Sequence, residues 1–408
     1  MGDGTRHLRL AGVEAGVTDH ILVLNAGSSS LKFAAYAITA DTPAARFAGQ
    51  VEGIGAVARF TARDADGGVL AERVLADVMG HDAAVGPVID WLQAVIGAGR
   101  VAAVGHRVVH GGAEFAAPVR LNAAVRTALG ALVALAPLHQ PYNLAGIDAA
   151  TARFPGVPQV ACFDTAFHRT QPWEAETFAL PPRFYDQGIR RYGFHGLSYE
   201  FIARALVAEH PDLAAGRVVV AHLGNGASLC AMRGGRSVAT TMGFTALDGV
   251  AMGTRSGALD PGLVLHLIEA MGMTPGEVGH LLYHDSGLKG MSGVSQDVRQ
   301  IEAAGTLAAE RALAHFAWRV RREIGALAAC MGGLDALVFT AGIGEHAAGV
   351  RARICDGLEF LDIALDPARN AANAADIGAE GATARVLVRR TDEERMVARH
   401  TLDALAQR

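Results

Sequence analysis

Residue types that handle phosphate occur together between Ile21 and Lys32, where an apolar strand runs into Asn25, Gly27 and three serines. Gly27 lets the backbone approach an anion closely, the hydroxyls and turn amides donate hydrogen bonds, and Lys32 adds a positive charge. The pattern predicts a phosphate-binding turn, although an ordinary hairpin between two strands explains it too. It is not a Walker loop, because Gly-x-x-x-x-Gly-Lys-Ser/Thr is absent around it.

Two further glycine-rich turns follow apolar strands. Val220 to Ser228 repeats the strand, turn and strand pattern, and its Asn225-Gly226 pair is typical of a type I′ hairpin turn. Ala341 to Glu345 follows a strand and predicts a turn with room for a base or ribose. The three turns predict two similarly built halves that close on a nucleotide, with chance similarity of glycine turns as the alternative.

Four charged or titratable residues lie in apolar surroundings. Because an unpaired buried guanidinium is costly, Arg107 and Arg255 either form structural ion pairs or together bind one phosphoryl group. His195 has no second histidine at metal-ligand spacing, which favours a hydrogen-bonding role. Asp164 directly follows an apolar strand, where it suits catalysis or magnesium binding, and a helix N-cap explains it equally well.

Composition sets the limits on these interpretations. A chain of 408 residues is long enough for two domains, and 51% hydrophobic with 19% charged residues is a globular composition. With a net charge of −5, we expect no nucleic-acid partner. No apolar run reaches the roughly 18 residues of a membrane span, so we expect no membrane partner.

The cysteines and the first residues predict a cytoplasmic protein. Cys162, Cys230, Cys330 and Cys355 are far apart, without a Cys-x-x-Cys pair, and are expected to be small buried side chains in a reducing compartment. Residues 1–20 lack the apolar core of a signal peptide and are interpreted as a loose extension.

Alternating strand and helix patterns predict an α/β protein. The predicted strands are Ile21–Leu24, Leu31–Ile38, Val101–Val109, Gln159–Phe163, Arg217–Leu223, Ala336–Phe339 and Arg385–Val388. The predicted helices are Asn122–Leu135, Leu307–Met331, Val350–Gly357 and a last helix that opens at Thr391-Asp392-Glu393-Glu394.

Seven motifs, in order along the chain, resemble the acetate kinase family from Ile21 to about Leu402. They are Asn-Ala-Gly-Ser-Ser-Ser-Leu-Lys, Gly-His-Arg-Val-Val-His-Gly-Gly, Phe-Asp-Thr-Ala-Phe-His, Arg-Arg-Tyr-Gly-Phe-His-Gly, His-Leu-Gly-Asn-Gly, Gly-Thr-Arg-Ser-Gly and Gly-Ile-Gly-Glu. The resemblance implies an α/β fold with two related domains of the actin-like ATPase (ribonuclease H-like) superfold around a central nucleotide cleft. Its implied parts are an extension (1–18), an N-terminal domain (19–165, completed by 391–408) and a nucleotide-binding C-terminal domain (166–390).

The resemblance also implies an activity: reversible, magnesium-dependent, in-line phosphoryl transfer from ATP to acetate, giving acetyl phosphate and ADP. The resemblance further implies a homodimer and a metal site in which Mn²⁺ can replace Mg²⁺. We also expect some use of propionate and a cytoplasmic location. Two alternatives stay open. One is a propionate kinase, and the other is a non-enzymatic, ATP-switched protein on the same fold.

Residue roles follow from the motifs of the family. The implied catalytic residues are Arg107, Asp164, His195 and Arg255, and the implied substrate contacts are Arg107, Val109, Leu138, Phe194 and Ala246. ATP and ADP are expected to contact Lys32, Ser28, Ser30, His222, Leu223, Gly224, Asn225, Gly226, Asp297, Val298, Arg299, Gly342, Ile343, Gly344, Glu345 and His346. Magnesium is expected at Asn25 and Glu393.

The chain departs from the family pattern at a few places. Ala246 stands where proline is usual, which leaves room for a longer acid. Gln140 stands where asparagine is usual, and Leu197 to Tyr199 and His346 also differ from the family's residues.

Overall fold

The structure, a computed structural model, describes residues 18–27, 29–39, 42–76, 78–97, 99–137 and 139–406. The predicted contacts Ser28 and Leu138, and residues 1–17 of the predicted extension, lie outside the described residues. The chain divides into two compact units. The first runs to Ala166 and includes Asp392–Arg408, and the second is Phe167–Thr391.

The first unit is built on a sheet of eight strands in the order β5-β4-β3-β2-β1-β6-β8-β7. The strands are β1 (Asp19–Ala26), β2 (Ser30–Thr39), β3 (Thr42–Glu52), β4 (Ala58–Asp64), β5 (Val69–Leu75), β6 (Arg100–Val108), β7 (Val119–Arg120) and β8 (Gln159–Phe163). The helices are α1 (His81–Ile96), α2 (Ala123–Ala131) and α3 (Gln140–Arg153). One face packs its aromatic side chains Phe33, Phe47 and Phe60 around Trp91 of α1.

The second unit has a sheet of five strands in the order β11-β10-β9-β12-β13. They are β9 (Arg217–Leu223), β10 (Ala227–Arg233), β11 (Arg236–Thr240), β12 (Ala336–Thr340) and β13 (Arg385–Val388). Its helices are α4 (Trp173–Glu176), α5 (Pro182–Asp186), α6 (Gly196–Glu209), α7 (Pro211–Ala215), α8 (Pro261–Glu269), α9 (Pro275–His284), α10 (Gly287–Ser292), α11 (Val298–Ala304), α12 (Leu307–Met331), α13 (Ala341–His346), α14 (Ala348–Cys355) and α15 (Pro367–Ala371).

The five strands of the second sheet and five neighbouring strands of the first, β3-β2-β1-β6-β8, share one topology, as expected for two similarly built halves. In the first unit, β1 pairs antiparallel with β2 and parallel with β6, which pairs parallel with β8. In the second, β9 pairs antiparallel with β10 and parallel with β12, which pairs parallel with β13. The apolar, β-branched strands that predicted an α/β protein therefore form the centre of each sheet.

The last helix, α16 (Glu393–Ala406), packs on the sheet of the first unit. A Cβ atom on Gly105 of β6 would lie 2.3 Å from Oγ1 of Thr401 and 2.7 Å from Cγ1 of Val397. The absence of a side chain at Gly105 therefore allows the helix to lie directly on the strand. Its first residue, Glu393, is thereby held at the edge of this sheet.

Three local predictions were wrong. The loop Gly224–Gly226 contains no residue with positive φ, whereas a type I′ turn needs two. Residues 341–345 are not a turn but begin α13, with Ala341 at a φ of 63°. Cys330 is exposed, although the other three cysteines are buried as expected, and all four are free thiols.

One predicted helix is divided. Asn122 caps α2 by accepting the N–H of Val125, and a 3₁₀ helix continues the chain over Leu132–Leu135. Among the helices that the structure describes, none is long and apolar enough to cross a lipid bilayer.

Candidate active site

In the first unit, the guanidinium of Arg107 is held by two carboxylates. Its Nε and Nη2 donate to the two oxygens of Asp164 at 2.9 and 2.7 Å, and Nη1 lies 3.0 Å from Oε2 of Glu393. Because β6 and β8 are parallel neighbours, Arg107 and Asp164 lie at the same edge of the sheet. The ion pair that the sequence left open for Arg107 therefore exists. Both oxygens of Asp164 take part in it, in place of the alternative helix cap.

Burial sets the protonation of this cluster. It raises the pKa of Glu393 to about 7, with the charges of Asp164 and Glu394 adding to the shift and those of Arg107 and Lys32 opposing it. Burial also disfavours the charged form of Arg107, but Asp164 and Glu393 outweigh it and hold the pKa of Arg107 above its ordinary value. Glu393 therefore holds a proton more tightly than an exposed carboxyl does, because burial disfavours its charged form.

The first glycine turn is a tight hairpin beside this cluster. The N–H of Gly27 donates to the carbonyl of Ser30 at 2.8 Å, and Asn25 pairs across the hairpin with Lys32. Lys32 is exposed, whereas Asn25 and Ser30 are half-buried. The turn therefore has the exposed ammonium group of Lys32 on the strand that leaves it, and a flexible point charge of this kind is suited to phosphate.

In the second unit, His195 lies at the start of α6 with a φ of 58°, in the left-handed region that few non-glycine residues adopt. Its Nδ1 lies 2.8 Å from Oγ of Ser228, and its ring stacks on His222 with centroids 4.2 Å apart. Nδ1 of His222 in turn lies 2.9 Å from Oγ of Ser198. These contacts agree with the hydrogen-bonding role predicted for His195, and the described residues contain no group of three potential metal ligands.

Arg255 differs from Arg107 in its partners. Its Nη1 donates to the carbonyl of Ala246 at 3.1 Å and contacts Sδ of Met252 at 3.7 Å. In the described part of the chain no carboxylate lies within 4.0 Å of its guanidinium, so the ion-pair alternative for Arg255 is wrong. Burial lowers the pKa of Arg255, because the charge is held without a counter-ion.

The glycine hairpin of the second unit brings His195 and Arg255 together. A Cβ atom on Gly226 would lie 3.1 Å from Nε2 of His195 and 3.8 Å from Nη1 of Arg255. The N–H of Gly253 donates to the carbonyl of Asn225, which fixes the loop that carries Arg255. The imidazole of His195 and the guanidinium of Arg255 thus lie within 4 Å of one point beside Gly226, and two such nitrogen donors are suited to an anion.

The remaining predicted nucleotide contacts lie at two helix starts. Oε1 of Glu345 accepts the N–H of Ala341 at 2.9 Å and that of Thr391 at 3.3 Å, which fixes the beginning of α13. A Cβ atom on Gly342 would meet nothing within 4 Å, so space is open there. Asp297 caps α11 and binds the guanidinium of Arg299.

Four other predicted contact residues, Val109, Phe194, Val298 and His346, differ in burial and in hydrogen bonding. Val298 and Phe194 are buried, and the side chain of His346 is 77% exposed. The N–H of Val109 donates to Oδ1 of Asn143, whose Nδ2 donates to the carbonyl of Ala26. Asn143 therefore joins the end of β1 to the residue after β6.

Sequence reasoning missed Asn143 and three other supporting residues. Arg351 is fully buried and donates to the carbonyl of Gly344 at 2.8 Å, so it supports the glycine segment of α13. Ser228 and Tyr199 are both fully buried around His195. The available signal was a polar residue within an apolar strand or helix face, which indicates a buried hydrogen bond without naming its partner.

Comparisons with known proteins agree with this architecture. The acetokinase family model matches residues 20–399. An acetate kinase of Methylocella silvestris is 51% identical over 396 residues, which cover 95% of this chain and 98% of that protein. The crystal structure of Porphyromonas gingivalis acetate kinase has a TM-score of 0.85 at 36% identity, covering 95% of this chain and 100% of that one.

A propionate kinase is also among the similar structures. The enzyme of Francisella tularensis has a TM-score of 0.88 at 35% identity, covering 94% of this chain and 99% of that one. These neighbours confirm the predicted fold class, the α/β actin-like ATPase fold with two sheets. The resemblance on which the sequence analysis rested is confirmed, and the chain belongs to the acetokinase family.

Proposed function

We propose that this protein is an acetate kinase, which transfers a phosphoryl group from ATP to acetate and yields acetyl phosphate and ADP. The observation that carries the proposal is Arg255, a half-buried guanidinium with no carboxylate partner among the described residues, which lies beside His195 and the Gly226 backbone. An ATP-switched protein without catalysis needs the nucleotide loops but not this set of anion-binding groups. The acetokinase family match supports the same conclusion.

The substrate removes the need for a general base. A carboxylic acid has a pKa near 4 and is already ionised at neutral pH. We therefore assign Asp164 to orienting Arg107 rather than to accepting a proton. The difficulty is to bring one anion against another, and we assign Arg107 and Arg255 to neutralising these charges. His195 then donates to an oxygen of the transferring phosphoryl group.

We assign magnesium to Asn25 and Glu393. Both present oxygen atoms, Glu393 is ionisable near neutral pH, and kinases hold this hard cation with one or two carboxylates plus substrate phosphates. When bound, the ion would screen the charge of the nucleotide phosphates. Mn²⁺ accepts the same oxygen ligands and is expected to replace Mg²⁺.

We assign ATP to the exposed Lys32 with Ser28 and Ser30, to the hairpin His222–Gly226, to Asp297–Arg299 and to Gly342–His346. Backbone amides and Lys32 suit the phosphates. The open space above Gly342 suits the flat base or ribose. Because ATP is the phosphoryl donor, we place the enzyme in the cytoplasm.

We also infer a homodimer, with a second copy covering α8. This helix is rich in leucine, yet none of its residues is buried, and Leu263 and Leu265 are 43% and 55% exposed. Exposed leucines in this number are typical of an interface. Light scattering should give twice the chain mass of 42.4 kDa for the wild type and a lower mass for Leu265→Glu. A monomeric wild type would contradict the inference.

Trapping with hydroxylamine tests the function directly. The protein is incubated with ATP, Mg²⁺ and acetate, propionate or butyrate, and the acyl phosphate is trapped as its hydroxamate. We expect product with acetate and, at a lower rate, with propionate. No trapped product from any of the three acids would contradict the proposal.

Replacement of Arg255 tests its assigned role. We expect Arg255→Ala to lower kcat about 100-fold, because one donor to the transition state is lost, and to leave the KM for ATP within about threefold. Arg385→Ala is the matched control. The guanidinium of Arg385 pairs with Asp376 at the amino-terminal end of β13, away from the glycine turns at the carboxyl ends of the strands. The kcat of Arg385→Ala should be unchanged. An unchanged kcat in Arg255→Ala would remove this residue from the mechanism.

Ala246 tests the acid preference. The side chain of Ala246 is smaller than the proline that is usual there. Burying one extra methylene of the acid in the space so left should favour propionate by roughly 1 kcal/mol, or about fivefold in kcat/KM. We expect Ala246→Pro to lower kcat/KM for propionate relative to acetate by about this factor. If the wild type used propionate with less than roughly a thousandth of the kcat/KM for acetate, the inference from Ala246 would be wrong.

A further inference from the structure

A hydroxyl chain stands behind His195. Oγ of Ser228 lies 2.8 Å from Nδ1 of His195 and 2.5 Å from the phenolic oxygen of Tyr199. Ser228 and Tyr199 are both fully buried. A buried hydroxyl without a hydrogen-bond partner is costly. Ser228 and Tyr199 are therefore held in this geometry, because no water can replace their partners.

The hydroxyl groups of Ser228 and Tyr199 belong to a set of contacts that join a helix to a hairpin in both directions. His195, Ser198 and Tyr199 lie on the first turn of α6, whereas His222 and Ser228 face each other across the β9–β10 hairpin. Each imidazole contacts the serine of the other element, at 2.8 Å for His195 and 2.9 Å for His222. The two rings stack with an interplanar angle of 17°. The helix start and the hairpin therefore fix each other through these side chains.

The order of acid strengths sets the direction of the hydrogen bonds. A phenol is a stronger acid than an aliphatic alcohol, which favours donation from the hydroxyl of Tyr199 to Oγ of Ser228. The single proton of Ser228 is then free to donate to Nδ1 of His195. A neutral imidazole that accepts at Nδ1 carries its proton on Nε2, because the partner of one ring nitrogen decides the state of the other.

We propose that Ser228 and Tyr199 are positioning residues that hold His195 in the tautomer with a proton on Nε2. The proposal rests on the function proposed above, in which His195 donates to the phosphoryl group. Nε2 faces Gly226, where a Cβ atom would lie only 3.1 Å from it and 3.8 Å from Nη1 of Arg255. The hydroxyl chain thus directs an N–H donor into the volume that Arg255 also faces.

A double-mutant cycle tests whether Ser228 acts through His195. We expect Ser228→Ala to lower kcat about 10- to 100-fold, because the imidazole of His195 is then misoriented or carries its proton on Nδ1. The KM for ATP should change less than about threefold. In a His195→Asn background, the Ser228→Ala change should cost less than about twofold, since the group on which it acts is gone. Equal losses in both backgrounds would show a merely structural role and overturn the proposal.

Tyr199→Phe and Ser237→Ala complete the set. Tyr199→Phe keeps the ring and removes only the donor, so it tests the chain even if Ser228→Ala folds poorly. It should lower kcat in the wild-type background and not in His195→Asn. Ser237 is an equally buried serine, 2.9 Å from Nδ1 of His168, and is the matched control. Any loss in Ser237→Ala should be the same in both backgrounds, and coupling to His195 as large as that of Ser228 would contradict the proposal.

Nitrogen-15 NMR of the full-length protein gives a readout besides activity. The signals of His195, identified by their loss in His195→Asn, should show a protonated Nε2 and an unprotonated Nδ1 in the wild type. Ser228→Ala should shift them toward the other tautomer. A protonated Nδ1 in the wild type would overturn the inference even if acyl phosphate is formed, whereas absence of acyl phosphate would instead contradict the proposed function.

Discussion

The contact between the Arg107 guanidinium and the carboxylates of Asp164 and Glu393 is the interaction on which the candidate site of the first unit depends. It joins the ends of β6 and β8 to the first residue of α16, and so connects the last helix to the centre of the first sheet. Removing such charges from water costs several kcal/mol per ion, and their attraction regains this only when geometry is good. The bidentate contact satisfies that condition, yet burial still raises the pKa of Glu393 to about 7. Keeping these groups charged in the folded protein therefore costs free energy of desolvation.

The second unit repeats the sheet topology with the opposite charge pattern. There the half-buried guanidinium of Arg255 has backbone and thioether partners in place of carboxylates, and the nearby imidazoles contact serine hydroxyls. The carboxylate-rich edge of the first unit suits a cation, and the second suits an anion. The proposed phosphoryl transfer would use both kinds of site, and the same topology carries different side chains in the two units.

Strands and helices could be predicted from the sequence more accurately than the hydrogen bonds between distant residues. The strands at the centre of both sheets and the long α12 helix have the predicted type and nearly the predicted bounds, because apolar runs and helical spacing are local signals. The α13 segment was predicted as a turn, since its glycines outweighed the capping by Glu345 that only the fold provides. Ser228, Tyr199 and Asn143 were missed for the same reason: their partners are far away in sequence. The residues of the two charge clusters were identified through the family motifs, and their pairing became visible only in the structure.

The central claim is that the charges around Arg107 are retained for chemistry and not for stability. The most direct test compares the free energy of unfolding of Asp164→Asn with that of a triple variant, Arg107→Met, Asp164→Asn and Glu393→Gln. Removing one partner should cost about 3 kcal/mol, because a buried guanidinium loses half of its neutralisation, whereas the triple variant should regain most of that loss. It should form no acetyl phosphate. A triple variant less stable than the single one would contradict the claim and make the cluster a structural feature of the fold.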